Sequence, residues 1–140
     1  MKIAIVNGPN LNMLGKRETE IYGTSRFEDF FETLKTEFPE ITFSYFQSNV
    51  EGELINALQD YGFSQDGIIL NPGGYTHTSV AIGDCIAAIN APVVEVHISN
   101  IFSREEFRKH SYVSSKAAGV ISGLKLNGYK AAVRYFIENA

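Results

Sequence analysis

Glu95 and His97 are the residues whose spacing most clearly indicates chemistry, because they stand two positions apart at the end of an apolar run. Val94 and Val96 alternate with them, as in a buried strand. A buried carboxylate is costly unless it is paired, and a neighbouring carboxylate orients a histidine and raises its basicity. We therefore predict that Glu95 orients His97 for proton transfer, and that Ser99 adds a donor nearby. The alternative is a structural polar pair at a strand end.

A second chemically capable group lies in the long segment 8–24, which contains Asn10, Arg17 and Tyr22. Loops longer than about 12–15 residues are usually functional lids or disordered segments. A guanidinium near a phenol favours the phenolate, so Arg17 would allow Tyr22 to act as a base. A solvated loop with Tyr22 packed on the surface explains the same composition.

Two further groups indicate a binding site for an anion or a hydroxyl-rich ligand. Asn71 and His77 flank a Pro-Gly-Gly turn that leads into a helix, where exposed amides suit such a ligand. N-capping by Thr76 or Thr78 would explain the hydroxyls there but not His77. On a short helix predicted over 103–110, two arginines four residues apart would share a face and clamp an anion. These arginines are Arg104 and Arg108. The alternative for that helix is an ordinary charged face exposed to solvent.

The elements that carry these groups alternate between strands and helices. Strands are predicted at 2–7, 41–47, 67–71, 92–97 and 119–122. Helices are predicted after capping boxes at Ser25–Glu28 and Ser48–Glu51, over 78–89, over 103–110 and from Tyr129 onward. The alternation predicts an α/β fold, a flavodoxin-like doubly wound five-stranded parallel sheet with helices on both faces. Since ligands bind beyond the carboxyl ends of such strands, the separate groups should converge on one site.

Composition restricts the class of protein. A length of 140 residues predicts a single catalytic domain, 1–140, and the net charge of −4 argues against binding of nucleic acid or a membrane surface. No apolar run approaches the roughly 18–20 residues that span a bilayer, and the first strand leaves no room for a signal peptide. The single cysteine, Cys85, excludes an internal disulfide and a cysteine-based metal site. We predict a cytoplasmic protein. The helix 78–89 is apolar almost all round, which favours a subunit interface.

Three motifs together closely resemble type II 3-dehydroquinate dehydratase, an enzyme of the shikimate pathway that serves chorismate and aromatic amino acid biosynthesis. They are NGPNLNMLGKRE at 7–18 with Tyr22-Gly23, LNPGGYTHTS at 70–79, and EVHISNIFSREEFRKHS at 95–111. The resemblance implies a flavodoxin-like lyase that needs no metal or cofactor and assembles trimers into a homododecamer. The implied reaction eliminates water from 3-dehydroquinate, through an enolate, to give 3-dehydroshikimate.

The same resemblance implies roles for individual residues. Tyr22 matches the base, Arg17 the lid arginine that supports the tyrosinate, and Asn10 the residue that holds a water against the enolate oxygen. His97 matches the general acid that protonates the departing hydroxyl, and Glu95 matches its orienting partner. The implied substrate contacts are Asn71, His77, Asp84 donated by a neighbouring subunit, the Ile98–Ser99 backbone, Arg104 as a support for Arg17 and the lid, and Arg108.

The chain departs from the family pattern at Gly83, where many relatives have arginine, and at Gly74, where alanine is common. The first departure leaves the intersubunit contact of the neighbouring aspartate open.

Three alternative functions remain compatible with parts of this pattern. A noncatalytic flavodoxin-like module that binds a nucleotide or flavin would explain the fold and the first loop. A metal hydrolase would use Glu95, His77 and His97. A Schiff-base dehydratase would need a buried lysine, whereas all seven lysines are predicted at surface or loop positions.

Overall fold

A computed structural model of the chain describes residues 1–16, 18–22 and 24–140. These residues contain the strands β1 Lys2–Asn7, β2 Thr42–Gln47, β3 Gly67–Asn71, β4 Val93–His97 and β5 Gly119–Ser122. The five strands are parallel and form one sheet in the order β2-β1-β3-β4-β5. This is the strand order of the flavodoxin-like fold, so the predicted fold class is confirmed.

The helices of the described residues lie between these strands. The α-helices are α1 Thr19–Tyr22, α2 Phe27–Glu37, α3 Glu51–Gly62, α4 Val80–Ala88 and α5 Asn127–Glu138. Short 3-10 helices span Leu11–Met13, Gly73–His77, Ile101–Ser103, Glu106–Lys109 and Ser114–Lys116. No helix among the described residues is long and apolar enough to cross a membrane.

The core has two parts because successive side chains of a strand point to opposite faces of the sheet. Ile3 and Ile5 are buried in one cluster with apolar residues of α2 and α5. Ala4 and Val6 are buried in the other cluster with residues of α3 and α4. Central strands covered on both faces hold their carboxyl ends rigidly, which is what the site requires.

The predicted helix starts are wrong in three places. Arg26 precedes α2 and Val50 precedes α3, and neither helix has a side-chain cap, so the two predicted capping boxes do not form. The cap of α4 is Ser79, whose hydroxyl accepts a hydrogen bond from the Ile82 amide at 2.9 Å. Residues 73–77 form a 3-10 turn instead, which delays the start of α4 beyond Thr76 and Thr78.

The single helix predicted over 103–110 is also wrong. Two 3-10 helices occupy this segment, and Arg104 between them is extended, with φ −106° and ψ −158°. Arg104 and Arg108 therefore do not share a helix face. The predicted loop 8–24 contains a 3-10 turn and α1, and Arg17 and Gly23 lie outside the described residues.

Candidate active site

A cavity of about 300 Å³ lies at the carboxyl ends of β1, β3 and β4. Parallel pairing aligns Asn7 with Asn71, so both strands end at the same level. The cavity brings together most of the residues singled out from the sequence, from segments more than 80 residues apart. Those that line it are Asn10, Tyr22, Asn71, His77, His97, Ile98, Ser99, Arg104 and Arg108.

Glu95 lies behind the cavity wall, fully buried, and contacts Nε2 of His97 through its Oε2. The same oxygen accepts a hydrogen bond from Thr76 Oγ1 at 2.8 Å, and Oε1 accepts one from Ser114 Oγ at 2.7 Å. Burial raises the pKa of Glu95, but His97 and the two hydroxyls outweigh burial and leave the pKa below its ordinary value. The pair thus consists of a saturated carboxylate and a histidine that faces the cavity.

The hydroxyl of Tyr22 accepts a hydrogen bond from Arg104 Nη1 at 3.0 Å. The same nitrogen donates to Ser99 Oγ at 3.2 Å, and the guanidinium carbon lies 5.7 Å from the Tyr22 ring centre. This contact places a positive charge beside the Tyr22 hydroxyl oxygen. The family resemblance implied that Arg104 supports Arg17 and the lid, and in the structure Arg104 contacts Tyr22 of α1 directly.

Asn71 is held from behind by a buried network that the sequence did not indicate. Its Nδ2 donates to the Tyr129 hydroxyl at 3.0 Å, and that hydroxyl donates to Asn7 Oδ1 at 2.8 Å. Asn71 Oδ1 accepts from the Gly73 amide at 3.1 Å. Burial raises the pKa of Tyr129, so the phenol stays protonated and keeps its donor. Asn71 lines the cavity, and its Nδ2 carries a second hydrogen that can be donated.

His77 and Arg108 form the polar wall on the other side of the cavity. His77 Nδ1 lies 2.7 Å from the His110 carbonyl oxygen, which makes Nδ1 the protonated nitrogen. Burial lowers the pKa of His77, and the nearby Arg108 lowers it further. The neutral ring therefore keeps Nε2 as an acceptor for a hydroxyl group. Arg108 Nε donates to Glu105 at 2.6 Å.

Asn10 also lines the cavity, and its backbone explains its position. It adopts the left-handed conformation, with φ 69°, that asparagine tolerates better than most residues. Its backbone amide donates to Asn49 Oδ1 at 3.0 Å, and this hydrogen bond anchors the start of the loop to the segment after β2.

Asp84 is the described residue of the predicted set that lies away from this cavity. It sits on the exposed side of α4, in a separate depression with Gly83 and Tyr112. A Cβ added at Gly83 would lie 2.4 Å from the Tyr112 carbonyl oxygen, so this close approach requires glycine. A side chain as large as that of arginine does not fit this packing.

Sequence reasoning missed four contributors to the site, namely Thr76 and Ser114 behind Glu95, and Asn7 and Tyr129 behind Asn71. Three of them are small polar residues, and the fourth, Tyr129, fits the apolar period of α5. The local sequence signal for a strand end or a helix face is the same whether or not the hydroxyl finds a partner. Among the described residues, no group of three His, Cys, Asp or Glu side chains could hold a metal ion.

Comparison with known proteins assigns the family. The family described as dehydroquinase class II matches residues 1–137. A 3-dehydroquinate dehydratase of Fusobacterium nucleatum is 55% identical over 144 residues, covering 99% of this chain and 97% of that protein. A catabolic 3-dehydroquinase of Aspergillus clavatus is 47% identical, covering 98% and 93%.

The similarity extends to three dimensions. A crystal structure of the type II dehydroquinase from Butyrivibrio crossotus superposes with a TM-score of 0.94 at 42% identity, covering 98% of this chain and 97% of that one. The type II dehydroquinase from Propionibacterium acnes gives a TM-score of 0.93 at 37% identity, covering 98% and 96%. This chain therefore belongs to the class II dehydroquinase family, and like that family it is a hydro-lyase.

Proposed function

We propose that the protein eliminates water from 3-dehydroquinate, through an enolate, to give 3-dehydroshikimate. The observation that carries this proposal is one cavity in which a tyrosine hydroxyl contacts a guanidinium and a histidine contacts a buried carboxylate. The first pair suits a base and the second suits an acid, and such an elimination needs both on one substrate. The proposal treats residues 1–140 as a single catalytic domain.

Tyr22 is the base of this mechanism. Its phenolate takes a proton from the carbon next to the ketone, and the electron pair of that C–H bond moves to the ketone oxygen. Arg104 Nη1 donates to the Tyr22 hydroxyl at 3.0 Å, so a positive charge lies beside the oxygen that takes the proton. The resemblance assigns Asn10 to a water that stabilises the enolate oxygen and Arg17 to the lid; Arg17 lies outside the described residues.

His97 is the general acid. It gives a proton to the C1 hydroxyl, which departs as water while the enolate collapses to the conjugated enone. Glu95 is the positioning partner, since its buried carboxylate contacts Nε2 of His97 and fixes the orientation of the ring. Because Glu95 occupies Nε2, Nδ1 is the nitrogen that carries the transferred proton. One proton taken by Tyr22 and one given by His97 balance, so solvent must return a proton between them after each turnover.

The remaining residues bind the substrate. Arg108 provides a charge for the substrate carboxylate, and His77 Nε2 and the Asn71 amide offer an acceptor and a donor to its hydroxyls. The Ile98–Ser99 backbone completes this wall. Asp84 belongs to the site of a neighbouring subunit.

The isolated chain leaves an apolar strip of α4 uncovered beside Asp84. Val80 is 53% exposed, and Ala81, Ala87 and Ala88 are exposed on the same helix. We infer that a second subunit covers this strip, in trimers that assemble into a dodecamer, and that the enzyme works in the cytoplasm. Sedimentation equilibrium tests the assembly, because a monomeric mass would contradict it. A nucleotide- or flavin-binding module would explain the fold, but it would not explain why the Tyr22–Arg104 and His97–Glu95 pairs meet at one cavity.

The test of the reaction is an ultraviolet assay of the conjugated enone formed from 3-dehydroquinate, with a chelator present. The wild type should turn over, and Tyr22→Phe should retain substrate binding but lose turnover by about 100-fold or more. A folded, oligomeric wild type without turnover would refute the proposed reaction. An active Tyr22→Phe variant would remove Tyr22 from the mechanism.

A further inference from the structure

We propose that Lys125 is a positioning residue that fastens the lid helix α1 over the site and thereby holds Tyr22. The proposal rests on the proposed function only in taking Tyr22 as the base. Lys125 lies between β5 and α5, more than 100 residues from α1. Its Nζ contacts the carbonyl oxygen of Ile21 and lies 3.4 Å from that of Glu20.

The contact is made where α1 needs it. The last carbonyl groups of a helix have no partner within the helix, and α1 ends at Tyr22. A lysine ammonium satisfies such carbonyls by hydrogen bonding and interacts favourably with the negative end of the helix. The backbone amides of Ile21 and Tyr22 both donate to the carbonyl oxygen of Glu18, the residue before α1, at 2.8 and 3.0 Å. A single turn of this kind is too short to be stable by itself, so an outside contact matters.

Lys125 adopts a backbone conformation that costs free energy in residues other than glycine. Lys125 has φ 55°, in the left-handed region that glycine adopts more easily than lysine. The residue is nevertheless held firmly, because its amide donates to the Ile98 carbonyl at 3.0 Å and its carbonyl accepts from Gly128 at 3.3 Å. A strained residue that is fixed by its surroundings and reaches a lid is a candidate for a functional role.

These contacts hold Tyr22 at two points. Arg104 holds its hydroxyl at 3.0 Å, and Lys125 holds the backbone immediately before it through Ile21. Ile98, whose carbonyl oxygen holds the Lys125 backbone, directly follows His97 at the end of β4. The contacts that position the base and the acid therefore start from the same strand end. Loss of Lys125 would leave the reacting groups intact but lower the fraction of molecules in which Tyr22 is in place.

The test measures hydrogen exchange at the Ile21 and Tyr22 amides together with kcat and KM. Lys125→Met removes the charge but keeps much of the length, and Lys125→Arg keeps a charged donor. Lys125→Gly removes both the side chain and the backbone strain. The matched control is Lys2→Met, an exposed lysine at the opposite end of the sheet.

We expect exchange at the two amides to rise about three- to tenfold in Lys125→Met and Lys125→Gly, with kcat/KM falling by a similar factor. Lys125→Arg and the control should match the wild type. Lys125→Gly should also melt at or above the wild-type temperature, since glycine relieves the positive φ. A looser lid in a globally more stable protein cannot be explained by general unfolding.

The proposal would be overturned by unchanged lid exchange in Lys125→Met, or by faster exchange with unchanged kcat/KM in an active enzyme. It would also fail if Lys125→Gly lowered the melting temperature and raised exchange along the whole chain. Exchange needs no substrate, so it separates the two proposals. If the wild type were inactive but the Lys125 variants still showed faster exchange in the lid, the proposed reaction would be refuted. The contact between Lys125 and the lid would then still be supported.

Discussion

Tyr129→Phe tests whether the buried network behind Asn71 stabilises the site. The substitution removes one hydroxyl that donates to Asn7 Oδ1 at 2.8 Å and accepts from Asn71 Nδ2 at 3.0 Å. Tyr129 is fully buried, so no water replaces that oxygen without rearrangement. The change therefore leaves one buried acceptor and one buried donor without this partner.

The expected magnitude follows from those two groups. An unsatisfied buried polar group costs about 1–3 kcal/mol, so the loss of a partner by two such groups should lower the free energy of unfolding by about 2–6 kcal/mol. For a chain of this size that corresponds to roughly 7–20 °C in melting temperature. The freed amide of Asn71 should also rotate, which weakens its contact with the substrate. We expect KM to rise about three- to tenfold and kcat to change less.

The assay is urea unfolding at fixed protein concentration, alongside steady-state kinetics of the enone signal. Tyr135→Phe is the matched control, because it removes the same hydroxyl from the same helix at a position 40% exposed. The control should stay within about 0.5 kcal/mol of the wild type. If both variants lost the same small free energy, the network would not hold Asn71, and the reasoning would be refuted.

The remaining predictions concern the buried carboxylate Glu95 and the packing of glycines in α4 and α3. Glu95→Gln should lower kcat/KM about 100-fold, because His97 loses the carboxylate that contacts its Nε2; an unchanged kcat/KM would contradict that role. The pKa of Glu95 is lowered in the folded protein, so its stabilising contribution is present above the unfolded value of 4.5 and lost as pH falls through the folded value. The acid limb of stability against pH should therefore be shallower in Glu95→Gln than in the wild type. Gly83→Ala should destabilise by about 1–3 kcal/mol, since its Cβ would meet a backbone oxygen at 2.4 Å. Gly52→Ala in α3, where an added Cβ meets nothing within 4 Å, should instead stabilise by about 0.5 kcal/mol, and equal signs in a melting experiment would contradict the packing argument.

The sequence was sufficient to predict the strands and their order. The five strands lie within one residue of their predicted bounds, because apolar runs flanked by turn residues specify buried parallel strands locally. The convergence of 7–18, 70–79 and 95–100 on one sheet edge follows from the same pattern, since parallel strands end together. The reaction itself came from the resemblance of these motifs to a family and not from periodicity.

The capping-box pattern predicted the wrong first residue for two helices. Ser25 and Ser48 satisfy the pattern of a capping box, yet α2 and α3 begin after Arg26 and Val50. The Ser48 hydroxyl bonds the Val50 amide and contacts Glu53 instead. A cap is worth only about 1 kcal/mol, so tertiary packing easily shifts a helix start by one or two residues.

Apart from the Glu95–His97 pair, the polar partners of the site were decided by the tertiary structure. Arg104 reaches Tyr22 across 82 residues, Tyr129 reaches Asn7 across 122, and Lys125 reaches Ile21 across 104. In the sequence, each of these residues fits the pattern of a charged surface segment or of an apolar helix face. The residue type fixes what a side chain can donate or accept, whereas the partner depends on which strand ends and loops the fold places within about 3 Å.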